Sequence, residues 1–185
     1  MIIFICGGSK SGKSSLAQDI SKAMANGNPL YYIATMIPFD EEDREKIRLH
    51  IEDRAGMGFE TVECGRNLLS VVNITDTNGT FMLDSITALL TNEMYGNFDE
   101  NGVDKESAHR VIKDIKQFAD SVNNLVIVSD YIFSDAESYD LDTQLFRSFL
   151  AHINNKTAAL ADVVVEMSFG NITVHKGTEF YEKIF

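Results

Sequence analysis

Short apolar runs alternate along the chain with longer amphipathic segments. The runs are nearly continuous, as expected of strands that are buried on both faces. They predict strands at residues 2–6, 30–34, 80–83 and 125–128, with a shorter strand at 59–63. The amphipathic segments have the spacing of helices, and a shorter helix is expected at 67–72. They cover residues 14–24, 40–54, 85–94, 104–122 and 141–160.

Strands that alternate with helices favour an α/β fold with a mostly parallel central sheet flanked by helices. The last two apolar runs, at 163–167 and 172–175, enclose Ser168-Phe169-Gly170-Asn171 and predict an antiparallel hairpin at the C-terminal end. Residues 97–101 are polar and predict a loop. Because the sequence shows no internal repeat and no linker, we expect residues 1–185 to form a single domain.

Charge and cysteine content narrow the functional classes. The 185 residues carry 16 basic and 28 acidic side chains, a net charge of −12. Such an acidic chain lacks the basic surface that nucleic-acid binding requires. Cys6 and Cys64 form neither a disulfide framework nor a zinc motif, and each is interpreted as a small buried side chain. No apolar run is long enough for a membrane span, so we expect a soluble, cytoplasmic protein.

The strongest chemical signal is a glycine-rich loop between the first strand and the first helix. It fits the pattern G-x-x-x-x-G-K-[ST] and predicts a P-loop NTPase-like fold that binds ATP or GTP. Its backbone N–H groups and the helix N-terminus form an anion site, Lys13 reaches the β- and γ-phosphates, and the Ser14 hydroxyl binds Mg²⁺. Lys10 is either a further phosphate contact or a solvated lysine. The predicted nucleotide-binding loop consists of Gly7, Gly8, Ser9, Lys10, Ser11, Gly12, Lys13 and Ser14.

Asp84 is the second candidate. It follows the apolar run Phe81-Met82-Leu83 in the arrangement of a Walker-B site, where the carboxylate helps to hold Mg²⁺. An aspartate at this position can instead cap the helix that follows. We favour the metal role because ligands of open α/β sheets bind outside the carboxyl ends of the strands.

His50 lies on the charged helix predicted at 40–54. Lys46, His50 and Arg54 recur at intervals of four and therefore share one helix face, beside an apolar stripe of Ile47 and Ile51. Neighbouring cations favour the neutral imidazole that a nucleophile needs, and they can hold a phosphate. The pattern alone is equally typical of a solvated helix with alternating charges, and from the residues that second interpretation is the stronger.

These motifs together resemble the bifunctional adenosylcobinamide kinase/adenosylcobinamide-phosphate guanylyltransferase family of cobalamin biosynthesis. The resemblance extends over almost the whole chain, and in the phosphate loop the family usually has Arg in place of Lys10. The run Tyr32-Ile33-Ala34-Thr35, followed by an acidic helix with His50-x-x-x-Arg54, is more specific than the loop. Further matches are Asp40-Glu41-Glu42, Leu83-Asp84-Ser85-Ile86-Thr87, Thr91-Asn92, Phe146-Arg147, Asn154 and residues 158–162.

The resemblance implies two reactions and a role for His50. One transfers a phosphoryl group from ATP or GTP to the aminopropanol hydroxyl of adenosylcobinamide. The other transfers GMP from GTP to that phosphate through a guanylylated histidine, which matches His50. Lys13 is then catalytic in binding the polyphosphate, with Mg²⁺ on Ser14 and Asp84, and Arg54 and Lys46 are the cations that stabilise developing charge. The resemblance also implies a cytosolic homo-oligomer, a trimer, with nucleotide and corrinoid substrates.

One segment departs from the family pattern. After the strand at 125–128 the family usually has Asn-Glu-Val-Gly and a glycine-rich loop, whereas this chain has Ser129-Asp130-Tyr131-Ile132-Phe133-Ser134-Asp135. We expect bulky aromatic residues to crowd a loop that glycine would leave open, and Asp130 is a candidate carboxylate partner. Two alternatives to the bifunctional enzyme therefore stay open: a small-molecule P-loop kinase without the guanylyl step, and a catalytically degenerate nucleotide-binding regulatory protein.

Overall fold

The computed structural model describes residues 1–96, 102–133 and 137–184, and a seven-stranded sheet forms its centre. The strand order is β3-β2-β4-β5-β1-β6-β7, and every neighbouring pair is parallel except β6 and β7, which are antiparallel. The strands are β1 (Ile2–Gly7), β2 (Leu30–Ala34), β3 (Glu60–Glu63), β4 (Thr80–Asp84), β5 (Asn124–Asp130), β6 (Val163–Ser168) and β7 (Asn171–Lys176).

Helices cover both faces of this sheet. They are α1 (Lys13–Ala25), α2 (Glu41–Asp53), α3 (Ile86–Tyr95), α4 (Ser107–Ser121), α5 (Leu141–Leu160) and α6 (Thr178–Tyr181), with a 3-10 helix at Leu68–Asn73. Within the described residues, no helix is long and apolar enough to cross a membrane.

The alternation of side chains along the central strands divides the core into two layers. Phe81 and Leu83 of β4 belong to the layer that contains buried residues of α3, α4 and α5. Met82, the residue between them, belongs to the opposite layer, where Ala17 and Ile20 of α1 are buried. This period of two is the geometry of a strand buried on both faces, and it places Asp84 on the same face as α1.

The predicted α/β fold, with a mostly parallel sheet and an antiparallel C-terminal pair, is confirmed. The largest differences lie at element ends. β5 continues to Asp130, two residues beyond the predicted end, because Ser129 and Asp130 still pair with Cys6 and Gly7 of β1. Helix α4 begins at Ser107 rather than at residue 104, and α6 had no prediction. The loop predicted at 97–101 lies outside the described residues.

Three of the parallel strands bring their carboxyl ends together at one edge of the sheet. β5 lies between β4 and β1, and its Asp130 is opposite Gly7 of β1. On the other side of β5, Asp84 of β4 is opposite Val128. Side chains that the sequence separates by more than 100 residues therefore meet at this edge, which is where open α/β sheets bind their ligands.

Phe81 tests the core that supports this edge. Its ring stacks on Tyr31 at 4.8 Å between centroids and meets Phe118 edge-on at 5.3 Å, with no exposed surface. We expect Phe81→Ala to lower the free energy of unfolding by about 3–5 kcal/mol, because it removes buried area and leaves a cavity. Urea unfolding followed by circular dichroism measures the change.

Ile74→Ala is the matched control, since Ile74 is 71% exposed and its truncation is expected to change stability by less than about 0.5 kcal/mol. Equal losses in the two variants would contradict the assignment of Phe81 to the core.

Candidate functional site

The glycine-rich loop joins the end of β1 to the start of α1. At Gly7 an added Cβ would lie 2.3 Å from the carbonyl oxygen of Met167, so the neighbouring strand leaves no room for a side chain. Gly12 precedes α1 with a φ of 94°, a left-handed conformation that favours glycine. The first N–H groups of α1 therefore point out of a tight turn, and such groups lack partners within the helix. This is the backbone arrangement that binds phosphate.

Lys13 is folded back onto the loop. Its Nζ donates a hydrogen bond to the carbonyl of Gly8 at 2.6 Å and forms an ion pair with Asp130 at 3.0 Å. The lysine side chain is only 8% exposed. A buried ammonium needs such compensation, and phosphate oxygens can supply it in place of the carbonyl and the carboxylate. Lys10 is exposed, with a φ of 56°.

Asp84 receives a hydrogen bond from the hydroxyl of Tyr32 on the neighbouring strand, at 2.9 Å. Burial, together with the adjacent Asp84 carboxylate, raises the pKa of Tyr32, so its hydroxyl stays protonated and keeps donating. Asp84 does not cap the following helix. That role belongs to Ser85, whose hydroxyl accepts from the N–H of Ala88. The capping alternative for Asp84 is therefore wrong, and its carboxylate is left for another role.

The residues around Ser85 fix the end of β2 against the start of α3. The buried Thr35 hydroxyl accepts from the Ser85 N–H at 2.7 Å and donates to the Ser85 carbonyl at 2.9 Å. The Asn92 side-chain amide donates to the carbonyls of Thr35 and Gly65 at 2.7 and 2.9 Å. These bonds satisfy buried polar groups and hold Asp84 in a fixed position.

Helix α2 lies beside this edge of the sheet and is mostly solvated. It begins as predicted, with the Asp40 carboxylate accepting from the Asp43 N–H at 2.9 Å, and none of its residues is buried. Arg48 pairs with Glu45 and Glu52 along the exposed surface. The alternating charges thus form the solvated face that one interpretation predicted. His50 differs from them because it is half-buried.

His50 lines a cavity of about 420 Å³ between α2 and the sheet edge. Arg54, which follows α2, closes one wall: its guanidinium lies 4.1 Å from the centre of the Tyr32 ring and donates to the Thr61 hydroxyl at 3.0 Å. The lining residues are Tyr32, Ala34, Met36, Pro38, Arg44, Ile47, Arg48, His50, Ile51, Arg54, Glu63, Asp84, Ser85 and Ala88.

The structure thus separates the predicted site residues into two groups. His50, Arg54 and Asp84 share one cavity, whereas Lys13 contacts Gly8 and Asp130. Lys46 does not line the cavity. It pairs with Glu42 at 3.0 Å and with Asp43 at 3.4 Å.

Three contributors to the cavity and its edge had no predicted role: Tyr32, Thr35 and Thr61. Each is a hydroxyl residue in or beside a β-strand, and a polar group within an apolar run is the signal that marks the first two. Thr61 carries no comparable signal, because its contact with Arg54 depends on how the chain returns after α2.

The residues present fit a magnesium ion. The Ser14 hydroxyl and the Asp84 carboxylate are oxygen donors, the kind that Mg²⁺ prefers together with substrate phosphates. Within the described residues, no cluster of three or more His, Cys, Asp or Glu side chains offers a separate metal site. Any cation here would therefore depend on the nucleotide for part of its coordination.

Neither cysteine is a candidate nucleophile. Both are free thiols. Burial raises the pKa of Cys6 to about 11, so the thiolate is scarce near neutral pH, and burial raises the pKa of Cys64 as well. This agrees with the interpretation of both as small packing residues.

The diverged segment after residue 128 is partly built into the sheet. Ser129 is buried, and its hydroxyl donates to Asn154 Oδ1 at 2.7 Å. The rings of Tyr131 and Phe133 pack edge-on against each other at 5.4 Å. Neither ring lines the cavity that contains His50, so the expected crowding does not reach it. Ser134 and Asp135 lie outside the described residues.

Comparisons with known proteins place this geometry in context. A solved ATPase domain is 12% identical, with 89% of this chain and 68% of that chain covered and a TM-score of 0.51, which shows a shared fold. The flagellar accessory protein FlaH from Methanocaldococcus jannaschii is 15% identical, with 95% and 77% covered and a TM-score of 0.48. No curated protein sequence gave a significant match.

The sequence was also compared with models of protein families. The model described as cobinamide kinase / cobinamide phosphate guanyltransferase matches residues 3–174. This span contains the phosphate loop, Asp84 and the cavity with His50, so the match includes every predicted site residue. The chain belongs to the cobinamide kinase / cobinamide phosphate guanyltransferase family.

Proposed function

We propose that this protein phosphorylates adenosylcobinamide with ATP or GTP and then transfers GMP from GTP to the phosphate through a guanylylated His50. The family description names both activities, so a nucleotide and cobinamide are its substrates. The observation that carries the residue assignment is the cavity in which His50 faces Arg54 and Asp84 at the carboxyl edge of the sheet. Residues 1–185 act in this proposal as one nucleotide-binding domain.

In the phosphoryl step, the loop of residues 7–14 binds the triphosphate. Lys13 exchanges its contacts with Gly8 and Asp130 for phosphate oxygens, and the start of α1 supplies N–H donors. Ser14 and Asp84 would hold Mg²⁺, which neutralises phosphate charge when bound. The loop orients the γ-phosphate toward the acceptor hydroxyl, and this positioning provides much of the catalysis in phosphoryl transfer.

In the guanylyl step, His50 supplies the nucleophile. An imidazole nitrogen attacks the α-phosphorus of GTP, a P–N bond forms, and pyrophosphate leaves as the P–O bond breaks. The phosphate of the acceptor then attacks the same phosphorus and releases the histidine. Arg54 opposes the negative charge that develops on the α-phosphoryl oxygens. Its contacts with the Tyr32 ring and the Thr61 hydroxyl hold the guanidinium in the cavity wall.

We also propose that the protein assembles as a homo-oligomer, a trimer, in the cytoplasm. Apolar side chains are unusually exposed in and before α2: Phe39 is 91% exposed and Ile51 is 51% exposed. A neighbouring subunit packed on this surface would bury them, and buried apolar area is what drives stable association. Two free cysteines fit a reducing compartment.

Covalent labelling tests the role of His50. With Mg²⁺ and GTP labelled at the α-phosphate, we expect acid-labile label to remain on the denatured protein, because a P–N bond to histidine hydrolyses in acid. His50→Asn removes the nucleophile and is expected to abolish this label. Scintillation counting of precipitated protein measures it, and peptide mapping locates it.

His109→Asn is the matched control, since the His109 side chain is 78% exposed on α4 and does not line the cavity. It should label like the wild type. Equal labelling of the His50→Asn protein would refute His50 as the nucleophile. Absence of label from a wild-type protein that still phosphorylates cobinamide would favour a kinase without the guanylyl step. Binding of nucleotide with neither product would favour a regulatory protein.

Arg54→Lys separates the two reactions. Lysine keeps the positive charge but loses the planar group that stacks on Tyr32 and contacts Thr61. We expect the rate of His50 guanylylation to fall by about 10–100-fold, with phosphoryl transfer to cobinamide within about twofold of wild type. Single-turnover labelling measures the first rate and a γ-phosphate transfer assay measures the second.

The control for that variant is Arg110→Lys, whose side chain pairs with Asp104 and Glu93 on another part of the surface. An equal loss of both activities in Arg54→Lys would show a general structural role instead of one in the guanylyl step.

A further inference from the structure

A second cavity lies next to the ion pair of Lys13 and Asp130. Its volume is about 260 Å³, and its walls include Met36 and Ile37, which follow β2, and Thr87 and Thr91 at the start of α3. Asp130 forms part of the lining. Asp130 therefore touches the phosphate-binding lysine on one side and an open cavity on the other. A second substrate could approach the transferred phosphate from this direction.

The backbone of Asp130 is held at both ends. Its N–H donates to the Thr87 hydroxyl at 3.1 Å, and its carbonyl accepts from the Asn154 side chain at 3.2 Å. The side chain remains 30% exposed. A carboxylate that is fixed in direction and still accessible is what proton transfer from a bound substrate requires, because the acceptor atom must lie within hydrogen-bond reach.

We propose that Asp130 is the general base of the phosphoryl step and that the second cavity holds the hydroxyl-bearing arm of the acceptor. The inference rests on the proposed function and identifies a catalytic residue for it. The acceptor oxygen forms a bond to the γ-phosphorus, and the bond from that phosphorus to the β-phosphate oxygen breaks. The hydroxyl proton passes to the Asp130 carboxylate and then to water, and the nucleoside diphosphate leaves with Lys13 still bound to its phosphates.

The other carboxylates near the loop are committed elsewhere. Asp43 also lines the second cavity, but one of its oxygens accepts from the Phe39 N–H and the other pairs with Lys46. Asp84 accepts from Tyr32 and lines the cavity that contains His50. Asp130 is the carboxylate that contacts Lys13 directly, and this lysine is the group that reaches the β- and γ-phosphates.

Asp130→Asn is the first test, because it keeps the size of the side chain and removes the base. We expect kcat for transfer from γ-labelled ATP or GTP to cobinamide to fall by about 10²–10⁴-fold. The KM for nucleotide should stay within about threefold, and α-label on His50 should form as in the wild type. Asp130→Glu restores a carboxylate and is expected to recover at least about tenfold of the lost kcat.

Asp120→Asn is the control, since Asp120 is exposed on α4 and pairs with Lys116. Wild-type kcat in Asp130→Asn would overturn the assignment of the base while leaving the proposed function intact. Loss of nucleotide binding and of His50 labelling together would also overturn it, because Asp130 would then act only by positioning Lys13. A wild-type protein that transfers no phosphate to cobinamide would overturn both the inference and the proposed function.

The cavity has its own test. Thr91→Phe places a ring in the space beside Asp130 without touching the phosphate loop. We expect the KM for cobinamide to rise at least about tenfold while the KM for nucleotide and the α-labelling of His50 stay unchanged. An unchanged KM for cobinamide would show that the acceptor does not enter through this cavity.

Discussion

The parallel pairing of β1 with β5 determines which groups meet the phosphate loop. This pairing sets Gly7 opposite Asp130, one residue after Cys6 opposite Ser129. Because successive side chains point to opposite faces, Ser129 turns toward Asn154 of α5 and Asp130 toward Lys13 at the start of α1. A slip of one residue would exchange these two directions and separate the lysine from its carboxylate. The buried Ser129–Asn154 hydrogen bond opposes such a slip.

The fold could be predicted from the sequence because its strongest signals are local. Continuous apolar runs mark strands that are buried on both faces, and the glycine-rich loop has a mechanism that explains its spacing. The end of β5 was missed for a related reason: Ser129 and Asp130 are polar, and polarity normally ends a buried strand. Both are retained in the sheet because each has a specific partner, and such partners come from distant parts of the chain.

Prediction of the site succeeded where a side chain acts from its own element and failed where two elements must meet. The helix spacing placed Lys46, His50 and Arg54 on one face, but only His50 and Arg54 line the cavity, since acidic neighbours one turn earlier hold Lys46. Tyr32 and Thr61 become important only because the chain returns after α2 to pair β3 with β2. A single sequence records the residues but not this return.

The two cavities share a wall formed by Met36, Ser85 and Ala88. In the proposed function this proximity has a chemical consequence, because the phosphate made in the first reaction is the nucleophile of the second. An acceptor phosphorylated beside Asp130 needs to cross only this wall to face His50. The Thr35 hydrogen bonds to Ser85 keep the wall in place, whereas α2 buries no residue of its own. Movement that joins the two reactions is therefore expected in α2, which carries His50, and not in the sheet edge that carries the phosphate loop.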